Sequence, residues 1–261
     1  MTGDLKPLTE SVLCRLTNEA VCNLLGQAAD FEARARPGLQ LALSNEPVAD
    51  MNMLVVGAGA DPGQFREMTG ACLARGLPFL VLFFPGAGNE LEPIASELGL
   101  VYAVEFPIMV RDDAPIEPGG HPEVEVTRAA GAADAEANAD VMASAYSMPK
   151  ASALRAMPAA FASGPGADVY VARLHGDAVG SVTLTHHGDT TGIWAMGTDA
   201  RLQRGGIGLR LLSTALARAR ERGARRFFLG ATPAGHRLYE KLGFRDVLAT
   251  RVWVSGETHQ A

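Results

Sequence analysis

Apolar residues recur along this chain with two periods, and the two periods predict its helices and strands. Over residues 9–31 the apolar positions Val12, Leu16 and Ala20 are four residues apart, so they share one face of a helix. Over residues 179–185 apolar and polar residues alternate, which predicts a half-buried strand. Both kinds of segment occur along the whole chain, so the pattern indicates a mixed fold of helices and strands.

The remaining segments follow the same two patterns. Further helices are predicted at residues 65–75, 89–97, 129–145, 150–162 and 207–222. Further strands are predicted at residues 39–43, 51–56, 79–84, 101–110, 124–127, 168–174, 191–196, 227–229 and 247–254. Between the two halves, residues 111–122 are charged and rich in proline and glycine, which predicts a linker.

A glycine-rich turn precedes the predicted helix at 207–222. It reads Gln203-Arg204-Gly205-Gly206-Ile207-Gly208. Glycines let backbone N–H groups approach an anion closely, and a helix that begins there adds free N–H groups and the positive end of its dipole. The turn therefore predicts a site for a pyrophosphate, with a plain glycine turn before a helix as the alternative.

Two motifs in this region resemble those of the GNAT superfamily of N-acetyltransferases. Gln203-x-x-Gly206-x-Gly208 is similar to that superfamily's acyl-CoA loop, Q/R-x-x-G-x-G/A. Residues 231–244 (ATPAGHRLYEKLGF) resemble its closing motif in the version A-T-x-x-G-x-x-L-Y-x-x-L-G-F. The motifs occur in the right order, joined by one predicted helix and one strand, and the resemblance covers roughly residues 124–254.

The resemblance implies acetyl-CoA as co-substrate and assigns residues to its binding. The strand before the loop would pair its backbone with the pantetheine arm through Ala195, Met196, Gly197 and Thr198. The pyrophosphate would lie on Gln203, Arg204, Gly205, Gly206, Ile207, Gly208 and Leu209. Thr232 would hydrogen-bond near the pantetheine arm or cap the helix that follows. Tyr239 would protonate the leaving thiolate, with packing of its ring in the core as the alternative.

The two halves of the sequence are similar to each other. Residues 97–110 match residues 241–254 at a constant offset of 144, and an Arg-Gly pair precedes a strand in each half. With the resemblance, this repeat predicts two tandem GNAT-like domains in an α/β (α+β) fold, each a mixed, mainly antiparallel twisted sheet flanked by helices. The predicted boundaries are 1–112 for the first half, 113–123 for the linker and 124–261 for the second half.

The first half lacks the cofactor signature. It is seven residues shorter than the second half where the loop should be, and no Q-x-x-G-x-G occurs there. Gly57-x-Gly59 follows a strand, but Asp61 adds a negative charge where an anion would bind. We therefore expect a degenerate first half with no CoA site and a catalytic second half.

The acceptor side of the site is less defined by the sequence. Tyr146 and Met148, at the break between two Ala-rich helices, are candidate substrate contacts, and a core role is the alternative. Many GNAT enzymes carry a glutamate on the strand before the cofactor loop, whereas residues 191–196 contain no carboxylate. His186 at the preceding turn is a further candidate, and a water chain could replace a dedicated base.

Composition narrows the remaining choices. The chain has 261 residues and a formal net charge of −6, which argues against non-specific nucleic-acid binding. No signal-peptide core and no run long enough to span a bilayer occur, and the three cysteines have neither disulfide nor zinc spacing. We expect a cytoplasmic protein without a metal or a membrane partner. The oligomeric state is open, and a homodimer is one of the alternatives.

The function predicted from the sequence is an acetyl-CoA-dependent N-acetyltransferase, by resemblance to the GNAT superfamily. Its second half would carry an acetyl group to a small amine by direct attack in a ternary complex. One alternative is a non-catalytic acyl-CoA sensor, which the missing strand carboxylate favours. The other is a protein-lysine acetyltransferase, which would need an open groove.

Overall fold

The computed structural model describes residues 7–156 and 166–255 and contains one large twisted sheet with helices on both faces. The strands of the described residues are β1 Glu32–Arg36, β2 Leu39–Leu43, β3 Asn52–Val56, β4 Leu80–Phe83, β5 Val101–Arg111, β6 Val124–Arg128, β7 Ala167–Leu174, β8 Asp177–His187, β9 Thr190–Thr198, β10 Arg226–Gly230 and β11 Arg245–Val254. The helices are α1 Glu10–Leu25, α2 Pro62–Ala74, α3 Leu91–Glu97, α4 Ala132–Tyr146, α5 Lys150–Ala156, α6 Ile207–Glu221 and α7 Pro233–Lys241.

The sheet is mixed and mainly antiparallel, which confirms the predicted fold class. Its strand order is β1-β2-β3-β4-β11-β5-β10-β9-β8-β7-β6, and only the pairs β3–β4 and β9–β10 are parallel. Apart from the additional edge strand β6, the order is symmetric about the β11–β5 pair, because β1 to β4 followed by β11 mirror β7 to β10 followed by β5. The internal repeat of the sequence therefore has a counterpart in the topology.

The two halves share this sheet by exchanging a strand. β5 belongs to the first half of the chain, yet it pairs with β10 of the second half. β11 belongs to the second half, yet it pairs with β4 of the first. β5 and β11 are the repeat-related strands, and they pair with each other around Pro107–Ala249 and Phe106–Thr250. Neither half completes its part of the sheet alone, and the domain boundaries remain a prediction.

Helices cover both faces of the sheet formed by the second half. Tyr170 and Ala172 of β7 pack in one apolar cluster with α6, whereas Val169 and Val171 pack in another with α1 and α4. Successive side chains of a strand point to opposite faces, so α6 covers one face while α1 and α4 cover the other. α1 is part of the first half, and its apolar side chains are buried against strands of both halves.

Local sequence explains where the helices begin. The Thr9 side chain caps α1 by accepting a hydrogen bond from the Val12 amide, and Asp61 caps α2 in the same way through the Gln64 amide at 2.9 Å. Pro62 occupies the first turn of α2, where its missing N–H costs nothing. α6 has no side-chain cap and begins after Gly206, which adopts a left-handed φ of 82°.

Two sequence expectations are corrected by the structure, and a third lies partly outside the described residues. α1 ends at Leu25 rather than at 31, because the chain turns over residues 26–30. Glu32–Arg36, where the sequence pattern predicts no strand, is an exposed edge strand. The predicted helix 150–162 is observed to Ala156, and the rest of it lies outside the described residues.

The predicted linker is packed against the second half. The Arg111 guanidinium donates to the carbonyl oxygens of Ala114, Pro115 and Leu242. Further along, the Gly119 amide donates to Ser213 Oγ at 3.1 Å. Residues 111–121 therefore follow α6 rather than crossing open solvent.

No helix in the described ranges is long and apolar enough to cross a membrane.

Candidate functional site

The strands β9 and β10 separate part of the way along their length. They pair over three positions only, from Thr190–Arg226 to Gly192–Phe228. Beyond Gly192, β9 continues to Thr198 but pairs only with β8 among the described residues. The edge of β9 that faces β10 therefore offers unpaired backbone groups to an extended ligand, as an exposed strand edge does.

A bulge in β9 lies within this opening. Its register against β8 shifts between Ser181–Gly197 and Thr183–Trp194, and Ala195 has a positive φ of 45°. A positive φ at a residue with a side chain is strained, and such residues are frequent at functional sites. The predicted pantetheine-binding residues Ala195, Met196, Gly197 and Thr198 are the ones that border the opening.

The glycine turn follows directly and offers a second set of free donors. The backbone N–H groups of residues 205–209 find no protein acceptor within the described ranges. Two residues of the turn have left-handed backbone conformations, Arg204 with φ 68° and Gly206 with φ 82°. Five successive free N–H groups at the start of a fifteen-residue helix form an anion site.

Two glycines of the turn are required for different reasons. A side chain at Gly208 would approach Leu238 and Met196 to 3.3 and 3.4 Å, so this glycine lets α6 begin close to β9. At Gly206 a Cβ would lie 3.2 Å from the His121 amide, in addition to the strain of its positive φ. Gly205 has only an ordinary contact at 3.5 Å and is exposed. Gly205 is therefore the position at which a side chain can be added with least disturbance.

Two tyrosines meet at Met196. The Tyr146 hydroxyl, at the end of α4, donates to the Met196 carbonyl oxygen at 2.7 Å. The Tyr239 hydroxyl, on α7, lies 3.9 Å from Met196 Sδ. Gly197 allows this arrangement, because a Cβ there would lie 2.6 Å from Ala145 Cβ and would push α4 away.

Burial keeps both phenols protonated. The pKa of Tyr239 is raised to about 12 because its hydroxyl is largely removed from water. The pKa of Tyr146 is raised further, first by burial and then by the negative charges that Tyr239 and Asp50 carry when ionised. Both side chains can therefore donate a hydrogen bond throughout the neutral and moderately alkaline range.

The other predicted residues occupy distinct places. Thr232 caps α7, since its hydroxyl accepts a hydrogen bond from the Gly235 amide. Met148 is buried in an apolar cluster against which Ala195 packs. His186 lies at the opposite end of β9 from Met196, where it contacts Asp168 at 2.8 Å and lines a separate cavity of about 760 Å³. His186 therefore lies away from Met196, the residue that Tyr146 and Tyr239 both reach.

In the described part of the first half, the corresponding strands do not separate. β3 and β4 pair from Met53–Leu80 to Val56–Phe83, and the Phe84 amide continues the ladder to the Val56 carbonyl oxygen at 2.8 Å. At the start of α2, the Asp61 carboxylate already accepts a backbone N–H. Within the described residues, β3 and β4 therefore leave no free edge between them and a side chain caps the start of α2, whereas β9 and β10 separate and α6 has no side-chain cap.

The residues present fit the acyl-CoA implied by the sequence motifs. A free strand edge suits the amide groups of a pantetheine arm, and the free N–H groups of the turn suit a pyrophosphate. In the part of the chain that the structure describes, no group of three or more His, Cys, Asp or Glu side chains could hold a metal ion.

Comparison with known proteins agrees with this geometry. Residues 138–244 match the model of the Acetyltransferase (GNAT) family. A search of curated proteins finds no match.

Solved structures share the fold at low sequence identity. A GCN5-related N-acetyltransferase from Kribbella flavida is 20% identical with a TM-score of 0.69, over 94% of this chain and 96% of that one. A GCN5-related N-acetyltransferase from Sphaerobacter thermophilus is 15% identical with a TM-score of 0.57, over 84% and 76%. A tandem GNAT protein from the clavulanic acid biosynthesis pathway is 12% identical with a TM-score of 0.54, over 84% and 79%.

Proposed function

We infer from the GNAT acetyltransferase domain, which this chain carries at residues 138–244, that it transfers acyl groups, and we propose acetyl-CoA as the donor and a small primary amine as the acceptor. Two features of the second half, a free strand edge and a free helix start, lie next to each other and support this proposal. The unpaired edge of β9 runs directly into the turn whose backbone N–H groups are free. An acyl donor with an amide-bearing arm and a pyrophosphate matches both features at once.

Each feature has its own task in binding. We assign the pantetheine arm to the backbone of residues 195–198 and the pyrophosphate to residues 203–209. Backbone donors that are fixed before binding need no reorganisation, so they position the thioester precisely enough for attack by a neighbouring amine. The thioester itself supplies an activated acyl group.

Tyr239 is assigned to the leaving sulfur. With a pKa raised to about 12, its phenol is a weak proton donor toward an ordinary thiol of pKa near ~8.5. The burial that raises the pKa of this phenol also disfavours a charged thiolate beside it. We therefore propose that Tyr239 first donates a hydrogen bond to the sulfur and passes its proton as the carbon–sulfur bond breaks.

The packing of the first half against the second half favours a small acceptor. Segments of the first half, including α1 and Met51, pack close to β9 and so limit access to the site. This favours a small amine over a lysine held in a long protein segment. A non-catalytic acyl-CoA sensor remains the competing function, since β9 carries no carboxylate, and turnover distinguishes the two.

The test is a calorimetric titration with acetyl-CoA followed by an assay of free thiol with a panel of amines. We expect one site per chain and turnover with at least one amine. Two sites would contradict the degenerate first half, binding without turnover would favour the sensor, and absence of binding would overturn the proposal.

A variant of the turn tests the site itself. Gly205→Glu adds a carboxylate among the free N–H groups at an exposed position, so affinity for acetyl-CoA should fall tenfold or more, which corresponds to at least about 1.4 kcal/mol. Gly70→Glu is the matched control, because it adds the same charge on α2 at a position with open space around it. Equal affinity in both variants would contradict the assignment of the turn.

A further inference from the structure

A segment of the first half is held rigidly beside the site of the second half. Residues 44–52 form a turn that contains the short helix Ala49–Met51. The buried Asn52 side chain holds the turn by donating from Nδ2 to the carbonyl oxygens of Glu46 at 2.7 Å and Pro78 at 2.9 Å. A turn fixed by buried hydrogen bonds keeps its side chains in defined positions.

The same turn is attached to the second half at two points. The Glu46 carboxylate accepts two hydrogen bonds from Arg155 of α5, both at 2.6 Å, in a bidentate pair. Met51 is buried in a cluster with Met142 and Met148, against which Ala195 of the β9 bulge packs. The turn therefore lies against the elements that carry Tyr146 and the predicted acyl-binding strand.

Asp50 is the carboxylate that this arrangement leaves without a partner. In the described ranges it makes no hydrogen bond and no ion pair with another residue, while more than a third of its surface stays accessible. The next residue, Met51, packs in the cluster that reaches Ala195, and the negative charge of Asp50 contributes to the raised pKa of Tyr146. The protein that surrounds Asp50 raises the pKa of its carboxyl group above the usual range. Asp50 is thus an exposed carboxylate on a turn whose next residue, Met51, is buried against the second half.

The carboxylate that directly follows β9 is already engaged. Asp199 follows β9 directly, but Arg201 contacts both of its oxygens, at 3.1 and 2.7 Å. Hydrogen bonds from Arg201 lower the pKa of Asp199 to about 2, so it is a poor proton acceptor. Asp50 has no such partner and can bind a cation.

We propose that Asp50, supplied by the first half of the chain, binds the ammonium group of the acceptor beside Tyr146 and accepts the proton that this group must lose before it attacks. This inference rests on the proposed function and identifies the acceptor as an amine that is cationic at neutral pH. It also supplies the carboxylate that β9 lacks.

The proton and bond changes balance as follows. The bound ammonium gives one proton to Asp50, which releases it to solvent because its side chain is accessible. The nitrogen then forms a bond to the acyl carbon while the carbon–sulfur bond breaks and its electron pair stays on sulfur. Sulfur gains one proton from Tyr239, and the nitrogen loses a second proton, which returns to Tyr239 through solvent. One proton in total is released for each amide formed.

The test compares Asp50→Asn with the matched control Glu67→Gln. Each change replaces a carboxylate of the first half by an amide of the same shape, and Glu67 is exposed on α2 away from the site. The substrates are acetyl-CoA with a panel of primary alkylamines, including benzylamine, and with aniline, which is uncharged at neutral pH.

We expect wild type and Glu67→Gln to prefer the cationic amines. In Asp50→Asn, kcat/KM for cationic amines should fall by tenfold to a hundredfold, while the value for aniline and the affinity for acetyl-CoA stay within twofold of wild type. A purely structural role of Asp50 would lower both amine classes together.

Two outcomes would overturn the role of Asp50 while the proposed function stands. One is an unchanged preference for cationic amines in Asp50→Asn. The other is a wild type that binds acetyl-CoA but acetylates no cationic amine of the panel. A wild type that does not bind acetyl-CoA would instead remove the proposed function, and the role of Asp50 with it.

Discussion

Tyr146 and Tyr239 come from different helices and reach the same residue of β9. Tyr146 holds the Met196 backbone and Tyr239 contacts its side chain. Gly235 makes room for the second ring, because a Cβ there would lie 2.8 Å from a ring carbon of Tyr239. The hydroxyl of Tyr239 has only the weak contact with sulfur, so its removal should affect chemistry more than folding.

Replacement of Tyr239 by Phe should lower kcat by about 10²- to 10⁴-fold, the usual contribution of a positioned proton donor. Affinity for acetyl-CoA should change less than threefold, as measured by calorimetry. Tyr102→Phe is the control, because Tyr102 is exposed and packs only on Trp253 among aromatic rings. An unchanged kcat in Tyr239→Phe would assign this side chain to packing alone.

At the other end of β9, His187 is buried in a chain of hydrogen bonds. Trp194 Nε1 donates a hydrogen bond to Thr185 Oγ1 at 2.9 Å. The same Thr185 oxygen lies 3.1 Å from His187 Nε2. His187 Nδ1 lies 3.1 Å from Glu19 of α1. A neutral imidazole with its proton on Nδ1 satisfies all of these contacts. Desolvation lowers the pKa of His187 and outweighs the opposite effect of Glu19.

This depressed pKa predicts that acid destabilises the protein. Histidine in the unfolded chain has a pKa near ~6.5, so below that pH the unfolded chain binds a proton that the folded chain does not. The free energy of unfolding therefore falls as pH decreases through ~6.5. The fall ends at the lower pKa that His187 has in the folded chain. Urea denaturation between pH 7.5 and 5.5 measures it. His187→Gln should flatten this part of the curve, whereas the same slope in His187→Gln and wild type would exclude His187 as the cause.

At the scale of elements, β9 combines support along one edge with an open edge on the other. β8 pairs with it from His187 to Gly180, while β10 leaves it after Gly192. α4 lies close over Gly197 and fixes the distance between Tyr146 and the strand. The opening therefore depends on helix packing as much as on strand pairing.

Gly197→Ala should disturb that packing. The added methyl would lie 2.6 Å from Ala145 Cβ, so α4 must shift and the Tyr146 bond to β9 should lengthen. We expect a loss of about 1–3 kcal/mol in the free energy of unfolding, typical of overpacking, together with weaker binding of acetyl-CoA. Gly70→Ala, with open space at a helix position, should instead stabilise by about 0.5–1 kcal/mol. A Gly197→Ala variant as stable as wild type would contradict the close approach of α4.

The elements of the second half could be predicted from sequence more fully than those of the first. Glycine positions and apolar periodicity are local features of the sequence. The turn at 203–208 and helix α6 can therefore be predicted from neighbouring residues alone. β1 was missed because its residues are charged and exposed. Charged residues protect an edge strand from aggregation, and they are also typical of loops. Asp50 was missed for a different reason: it approaches the site through tertiary packing, and no local pattern marks it.

At the scale of the molecule, the exchange of β5 and β11 makes each half depend on the other. The repeat in the sequence indicates that these two strands are equivalent. Because equivalent strands have the same apolar pattern, that pattern does not predict which half each strand joins. Strand partners are fixed by packing between distant segments. The cluster that joins α1 and Met51 to β7 and α4 adds a second connection between the halves.

A fragment of residues 124–261 alone should therefore fail to fold, because β10 and β11 both lose the strand that lies between them. The whole chain should unfold in one cooperative transition, measured by circular dichroism in urea, and a mixture of fragments 1–123 and 124–261 should recover the signal. A cooperative transition of the isolated fragment 124–261, with acetyl-CoA binding, would show that the second half is an independent domain.

The position of β11 between β4 and β5 has a consequence for synthesis on the ribosome. β4 and β5 emerge early, but the strand that separates them is made about 140 residues after β5, which takes about 7–30 s at ~5–20 residues/s. During that interval both strands have unpaired edges, and such edges attract other chains. We therefore expect the nascent first half to be prone to association with other chains until translation reaches β11.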